Sequence, residues 1–134
     1  MGVGNGRALL LQFRSERTVT PVPKPKNVTF FETPDKLRQW LEANHGTATE
    51  LCVGFHRKST GRPTVTGPEV IDQALCFGWI DSVRYSVGDG SFAQRITPRR
   101  RRSNWSAVNI KRFHELDEGG LVSSNGRAAF DARP

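Results

Sequence analysis

Apolar positions along the chain recur with two periods, and the switches between them mark the elements. VTFFE, Val28 to Glu32, is a short apolar run that predicts a strand. Thr33-Pro34 follows as an N-cap with proline in the first helical turn, and Asp35 suits the positive end of the helix dipole. Leu37, Trp40, Leu41 and Asn44 then recur at helical spacing until Gly46 closes the helix after His45. LCVGFHRK, Leu51 to Lys58, alternates, with Leu51, Val53 and Phe55 on one face and Cys52, Gly54 and His56 on the other. After the STGRP turn, Thr66-Gly-Pro-Glu69 has the spacing of a capping box, and Val70, Ile71, Ala74, Leu75 and Phe77 give the helix its apolar face before Gly78 stops it.

WIDSVRYSV, Trp79 to Val87, and SFAQRITPR, Ser91 to Arg99, read as antiparallel strands joined by Gly88-Asp89-Gly90, with Pro98 ending the pairing because it lacks a donor. Strict alternation would put Trp79, Asp81, Val83 and Tyr85 on one face and Ile80, Ser82 and Arg84 on the other; in the partner strand Phe92, Gln94 and Ile96 oppose Ala93, Arg95 and Thr97. A last long helix is expected over about 104–118, capped by Ser103 or Asn104, with Trp105, Val108, Arg112, Phe113 and Leu116 along one side and Gly119-Gly120 at its end. A further helical turn is expected near Asn125 to Asp131. The pattern β-α-β-α-β-β-α predicts a single α+β domain over 27–134, an antiparallel or mixed sheet of about four strands with three helices packed on one face. Residues 1–26, rich in Gly, Pro and charge, read as a flexible N-terminal arm.

Charge changes this picture at one place. Between Arg84 and Arg112 stand Arg84, Arg95, Arg99, Arg100, Arg101, Arg102, Lys111 and Arg112 against the single acid Asp89, so this stretch carries a charge equal to the whole formal net of +7. A local positive field points to anionic partners, either a small molecule or a nucleic acid. Cys52 and Cys76 each lie in an apolar run and form no C-x-x-C pair, which reads as two small buried hydrophobes in a reducing compartment. The apolar stretch Ala8 to Leu11 is too short for a signal-peptide core and no run approaches a membrane span, so a soluble, cytoplasmic protein is expected.

The candidate chemistry gathers in the same stretch. Asp81 on the face of Trp79 needs a partner if that face is buried, either an arginine in a structural ion pair or a ligand to which it acts as acid or acceptor. The RRRR run, Arg99 to Arg102, is either a solvated loop or part of an anion site, since it leads into Ser103-Asn104-Trp105-Ser106 at a helix N-terminus where free N–H groups, hydroxyls and guanidinium forks meet. Asn109, one turn on, fits a cap network or a ligand contact. His45, His56 and His114 are far apart, and Cys52 and His56 are separated by roughly 13 Å of strand, so no metal site and no cofactor is expected. The sequence names no catalytic residue and leaves the oligomeric state open.

Three phrases carry a resemblance: F-G-W-I-D (Phe77 to Asp81), F-A-Q-R-I-T-P-R (Phe92 to Arg99) and S-N-W-S-x-x-N (Ser103 to Asn109). Together with the run from Phe31-Glu-Thr-Pro to Trp40-Leu, they make the chain, over about residues 28–130, resemble the YdeI/OmpD-associated family of bacterial proteins, often labelled bacteriocin-protection proteins. Thr33, Trp40, Gly78, Trp79, Asp81, Gln94, Arg95, Pro98, Arg99, Ser103, Asn104, Trp105, Ser106 and Asn109 match its motif positions. The family usually has proline or lysine where Arg100 to Arg102 stand here, and it commonly continues past the point matching Pro134. The resemblance implies a protective role against peptide toxins or envelope stress, with a cell-envelope-related ligand; it implies no particular catalytic mechanism. Taken together, the expectation is a small binding protein. Its anionic-ligand site would be formed by Trp79, Asp81, Arg84, Gln94, Arg95, Arg99, Ser103, Asn104, Trp105, Ser106 and Asn109. A nucleic-acid-binding module and an enzyme on a phosphorylated or sugar substrate are its rivals.

Overall fold

The computed structural model describes residues 27–88 and 90–134; the expected N-terminal arm lies outside the described residues. Strand β1 (Val28–Phe30) leads into helix α1 (Pro34–Asn44), strand β2 (Leu51–Phe55), helix α2 (Gly67–Phe77), strands β3 (Trp79–Ser86) and β4 (Phe92–Pro98), and helices α3 (Ala107–Glu118) and α4 (Ser124–Asp131). A single 3₁₀ turn, Lys58–Thr60, lies between β2 and α2. The expected α+β class holds, and the described residues form four α-helices because the turn expected near the C-terminus is a full helix, capped by Ser123 accepting from the Gly126 amide.

The caps stand where sequence places them at two helices. Thr33 accepts from the Lys36 amide, and Thr66 and Glu69 close a reciprocal box. Helix α3 departs from expectation: its N-cap is Ser106, which accepts from the Asn109 amide, so Ser103, Asn104 and Trp105 lie in the connection before the helix. Ser, Asn and Ser all make good caps; the one that wins leaves Trp105 free to turn inward.

The sheet order is β1-β2-β4-β3, with β1 parallel to β2 and the other two pairings antiparallel. Its covered face carries Leu51, Val53, Ile96 and Trp79, which pack with Leu37 and Leu41 of α1, Val70, Ala74 and Leu75 of α2 and Leu116 of α3. The opposite face carries Phe30 stacked on His56, 4.1 Å between ring centroids, and the Arg95–Glu50 ion pair. Strict alternation fails in β3. The register pairs Asp81 with Ile96 but Arg84 with Gln94, so one extra residue intervenes and the strand is bulged between them. Tyr85 thereby moves off the face of Trp79 and Asp81, and Arg84 moves onto it.

Gly78 joins α2 to β3 at φ 77°, a left-handed conformation that suits glycine. Around it, successive carbonyls are claimed by distant segments. Cys76 O accepts from the Ser123 amide at 2.9 Å and its hydroxyl at 2.7 Å, Phe77 O from Asn125 Nδ2 at 2.6 Å, and Gly78 O from the Arg99 amide at 3.0 Å. Gly126 sits directly against the Cys76 carbonyl, where a Cβ would collide.

Candidate functional site

The site begins where β4 ends. Pro98 lies opposite Trp79 in the hairpin, and the next residue, Arg99, is tied by its amide to Gly78 O. The chain then turns back over Arg100–Ser103, closed by a 3.1 Å bond from the Ser103 amide to Arg100 O, with Arg102 at φ 62° in the left-handed region. This turn brings Trp105 under Arg99: the guanidinium carbon lies 3.9 Å from the centroid of the indole, a cation–π arrangement. Arg99 Nη1 donates to Ser103 Oγ at 3.2 Å and to Asn104 O at 3.3 Å. Trp105 is held from behind by edge contacts with Phe113 and Phe130 at 5.6 and 5.3 Å. Trp79, fully buried, meets Trp40 edge-on at 6.1 Å.

What the corner leaves unpaired matters more than what it pairs. Among the described residues, three buried side-chain nitrogens have no hydrogen-bond partner, and they are Trp79 Nε1, Arg99 Nε and Trp105 Nε1. Buried donors are paired in the great majority of cases, and each exception needs a reason. Arg99 and Trp105 stack on each other at this corner, and Trp79 lies opposite Pro98, the residue before Arg99. No carboxylate forms an ion pair with Arg99 among the described residues. Burial pushes its guanidinium below the ordinary arginine range, and the charge of Asp81 offsets this only in part.

The expected site residues divide into those brought together and those not. Arg99, Ser103, Asn104 and Trp105 form one contact network, with Trp79 beside it in the hairpin. Ser106 is occupied as the α3 cap, and its partner is the Asn109 backbone. Gln94 is buried on the covered face, two residues along β4 from Ile96, and donates weakly to Arg95 O at 3.4 Å. Arg84 lies over the rings of Phe55 and Phe92 near the hairpin tip, at 5.6 and 5.9 Å. Arg95 is on the opposite face, bonded to Glu50 at 2.7 Å, and that bond raises its pKa; the two-residue period of β4 puts it across the sheet from Gln94. The expected Asp81–arginine ion pair does not form among the described residues. Asp81 is exposed beside the bulge and reaches Arg99 only through its field.

The positive stretch is likewise divided. Arg112 is held by both oxygens of Asp72 at 2.8 Å and by Glu115 at 2.9 Å, so its charge is locally balanced. Arg100, Arg101 and Arg102 are exposed. Sequence reasoning missed Ser123, Asn125 and Gly126, which secure the end of α2; the S-S-N-G phrase that opens α4, with Ser123 as its N-cap, is the signal that marks them. Burial raises the pKa of both cysteines. Among the described residues, no group of three or more His, Cys, Asp or Glu side chains could hold a metal ion, and no helix is long and apolar enough to cross a membrane.

The family model described as Domain of unknown function (DUF8412) matches residues 29–129, and the chain belongs to this family. The match spans the sheet, the Arg99–Trp105 corner and most of α4. No curated protein and no solved structure matches the chain.

Proposed function

We propose that this chain is a small binding protein whose ligand carries an anionic group held at the Arg99–Trp105 corner. One observation carries the reading: among the described residues, Arg99 is a half-buried guanidinium with no carboxylate partner and a buried Nε lacking an acceptor. A desolvated cation is costly unless it is paired, and an incoming anion supplies the missing partner. Of the eight basic residues in the positive stretch, this is the one that has lost water without gaining an acid. The resemblance to the YdeI/OmpD-associated family supports the same residues, because Arg99, Ser103, Asn104 and Trp105 are among its motif positions. On this reading the chain acts in the cytoplasm, in protection of the kind the family label describes. Arg100, Arg101 and Arg102 add an exposed field that draws anions toward the corner, screened beyond roughly 10 Å at 0.1 M salt.

The test is a thermal-shift screen of phosphates, sugar phosphates, carboxylates, cell-wall fragments and oligonucleotides. A ligand that binds only the folded state raises Tm in a saturable way, and the rise should vanish in Arg99→Met while surviving joint replacement of Arg100, Arg101 and Arg102 by serine. The opposite order would overturn the reading. If oligonucleotides bind, and each lost loop arginine lowers the slope of log affinity against log salt by about 0.9, the protein binds nucleic acid through its exposed loop.

A further inference from the structure

Building on the anion-binding reading of this corner, we infer that the group Arg99 receives is a carboxylate, engaged side-on by the Nε–Nη2 edge of the guanidinium. The three nitrogens of Arg99 have different fates. Nη1 is spent on Ser103 Oγ and Asn104 O, which fix the plane of the group. Nε is buried with no partner, and Nη2 makes no hydrogen bond among the described residues. Nε–H and the neighbouring Nη2–H point in parallel, spaced as the two oxygens of a carboxylate are, and this fork is what distinguishes arginine from lysine in anion recognition.

Charge favours a monoanion over a phosphate dianion. Asp81 already places a negative field on Arg99. Arg95 is engaged by Glu50 across the sheet and Arg112 by Asp72 and Glu115, while Arg100, Arg101 and Arg102 are exposed, so their charges are screened by solvent rather than held against the buried edge. A single guanidinium edge with its face on an indole matches one planar, singly charged acid. Because Nε is buried, the ligand reaches it by an opening of the corner, and on this proposal the part that yields is the exposed Arg100–Ser103 turn, closed by one 3.1 Å bond with Arg102 in the left-handed region. A free small acid and the C-terminal carboxylate of a peptide share this chemistry.

The experiment follows the Arg99 Nε–Hε resonance of the ¹⁵N-labelled full chain by NMR. Sodium acetate, N-acetylalanine, N-acetylalanine amide and inorganic phosphate are titrated at constant ionic strength. The expected result is a saturable downfield shift of Hε with the two carboxylates and none with the amide; a response to N-acetylalanine well below the acetate concentration needed would identify a chain terminus as the better source. Arg99→Lys, which keeps the charge and loses the fork, should lose the saturable carboxylate response in the resonances of Trp79 and Trp105. The wild-type titration stands by itself should that variant unfold. If phosphate saturates the Arg99 shift and the carboxylates do not, the carboxylate assignment is wrong and anion binding survives. If none of the probes moves the resonance, both readings fall.

Discussion

The end of α2 and the end of β4 meet at Gly78, and the two sides of that glycine are finished differently. On the α2 side, the carbonyls of Cys76 and Phe77 receive donors from Ser123 and Asn125, and Gly126 packs so closely that no side chain fits. On the β4 side, Arg99 and the tryptophans Trp79 and Trp105 bury donors that nothing among the described residues accepts. Both junctions bring sequence-distant segments together in a small volume. Only one closes its polar accounting. A region built for stability has no reason to leave a guanidinium nitrogen desolvated and unpaired, because each such group costs about 1–3 kcal/mol. A region built to exchange water or a turn for a ligand does, since the unpaired donor is what the ligand then satisfies. On the proposed reading, the contrast separates a lock from a receptor within about three residues of backbone.

The largest expected effect tests the lock. Gly126→Ala places a methyl against the Cys76 carbonyl, and backbone on both sides prevents an inexpensive retreat. A loss of about 3 kcal/mol in denaturant unfolding is expected, at the upper end for overpacking. Asn125→Ala comes next. It strips the Phe77 carbonyl of a 2.6 Å bond and should cost about 2 kcal/mol, since the acceptor stays partly buried. If either variant unfolds at the wild-type denaturant midpoint, the junction is not the lock described.

These two residues also mark where sequence reading stopped. The alternation in β2 and β4 and the helical spacing of Leu37, Leu41, Val70 and Leu75 give the sheet, the first two helices and the covered face, because burial imposes those periods directly. Asn125 and Gly126 carry no periodic signal; their role depends on which carbonyl a distant helix presents. The β3 bulge is invisible for a related reason, as an extra residue changes no composition but reverses every side chain beyond it. This is why Arg84 and Tyr85 exchange faces. Within the candidate site, Arg99, Ser103, Asn104 and Trp105 are close in sequence and their association is legible. Arg95, equally prominent in the same phrase, is removed from them by the two-residue period of the strand and by Glu50, forty-five residues earlier.

A smaller effect is expected at the receptor side. Arg99→Met keeps an unbranched stem over Trp105 while deleting the unpaired donor and the desolvated charge. Removing an unsatisfied group offsets the loss of the bonds to Ser103 and Asn104, each worth about 1 kcal/mol. Stability should therefore fall by no more than about 1 kcal/mol, less than at Asn125, while anion binding disappears. A loss larger than that of Asn125→Ala, with ligand response unchanged, would make Arg99 a structural pin and erase the contrast between the two junctions.

The smallest expected effect has the opposite sign. Arg102 sits at φ 62°, where a Cβ crowds the following carbonyl, and it occupies the third position of a turn closed by the Ser103 amide on Arg100 O. Glycine adopts this conformation without that crowding. Its greater freedom in the unfolded chain opposes the gain, so Arg102→Gly should stabilise the protein by only about 0.5 kcal/mol. The turn also ends at Ser103, which with Asn104 holds Arg99 Nη1, and on the proposed reading this gives the substitution a second consequence. A relaxed turn stays closed more of the time, so a ligand that enters by opening it meets a larger barrier and a larger opening cost. Anion affinity should fall slightly as stability rises, and it should do so at high salt as well as low, where the lost charge of Arg102 is screened. Paired measurements of denaturant midpoint and ligand affinity across salt separate the two contributions. If affinity falls at low salt alone, Arg102 acts through its field, and the turn is not part of the receptor.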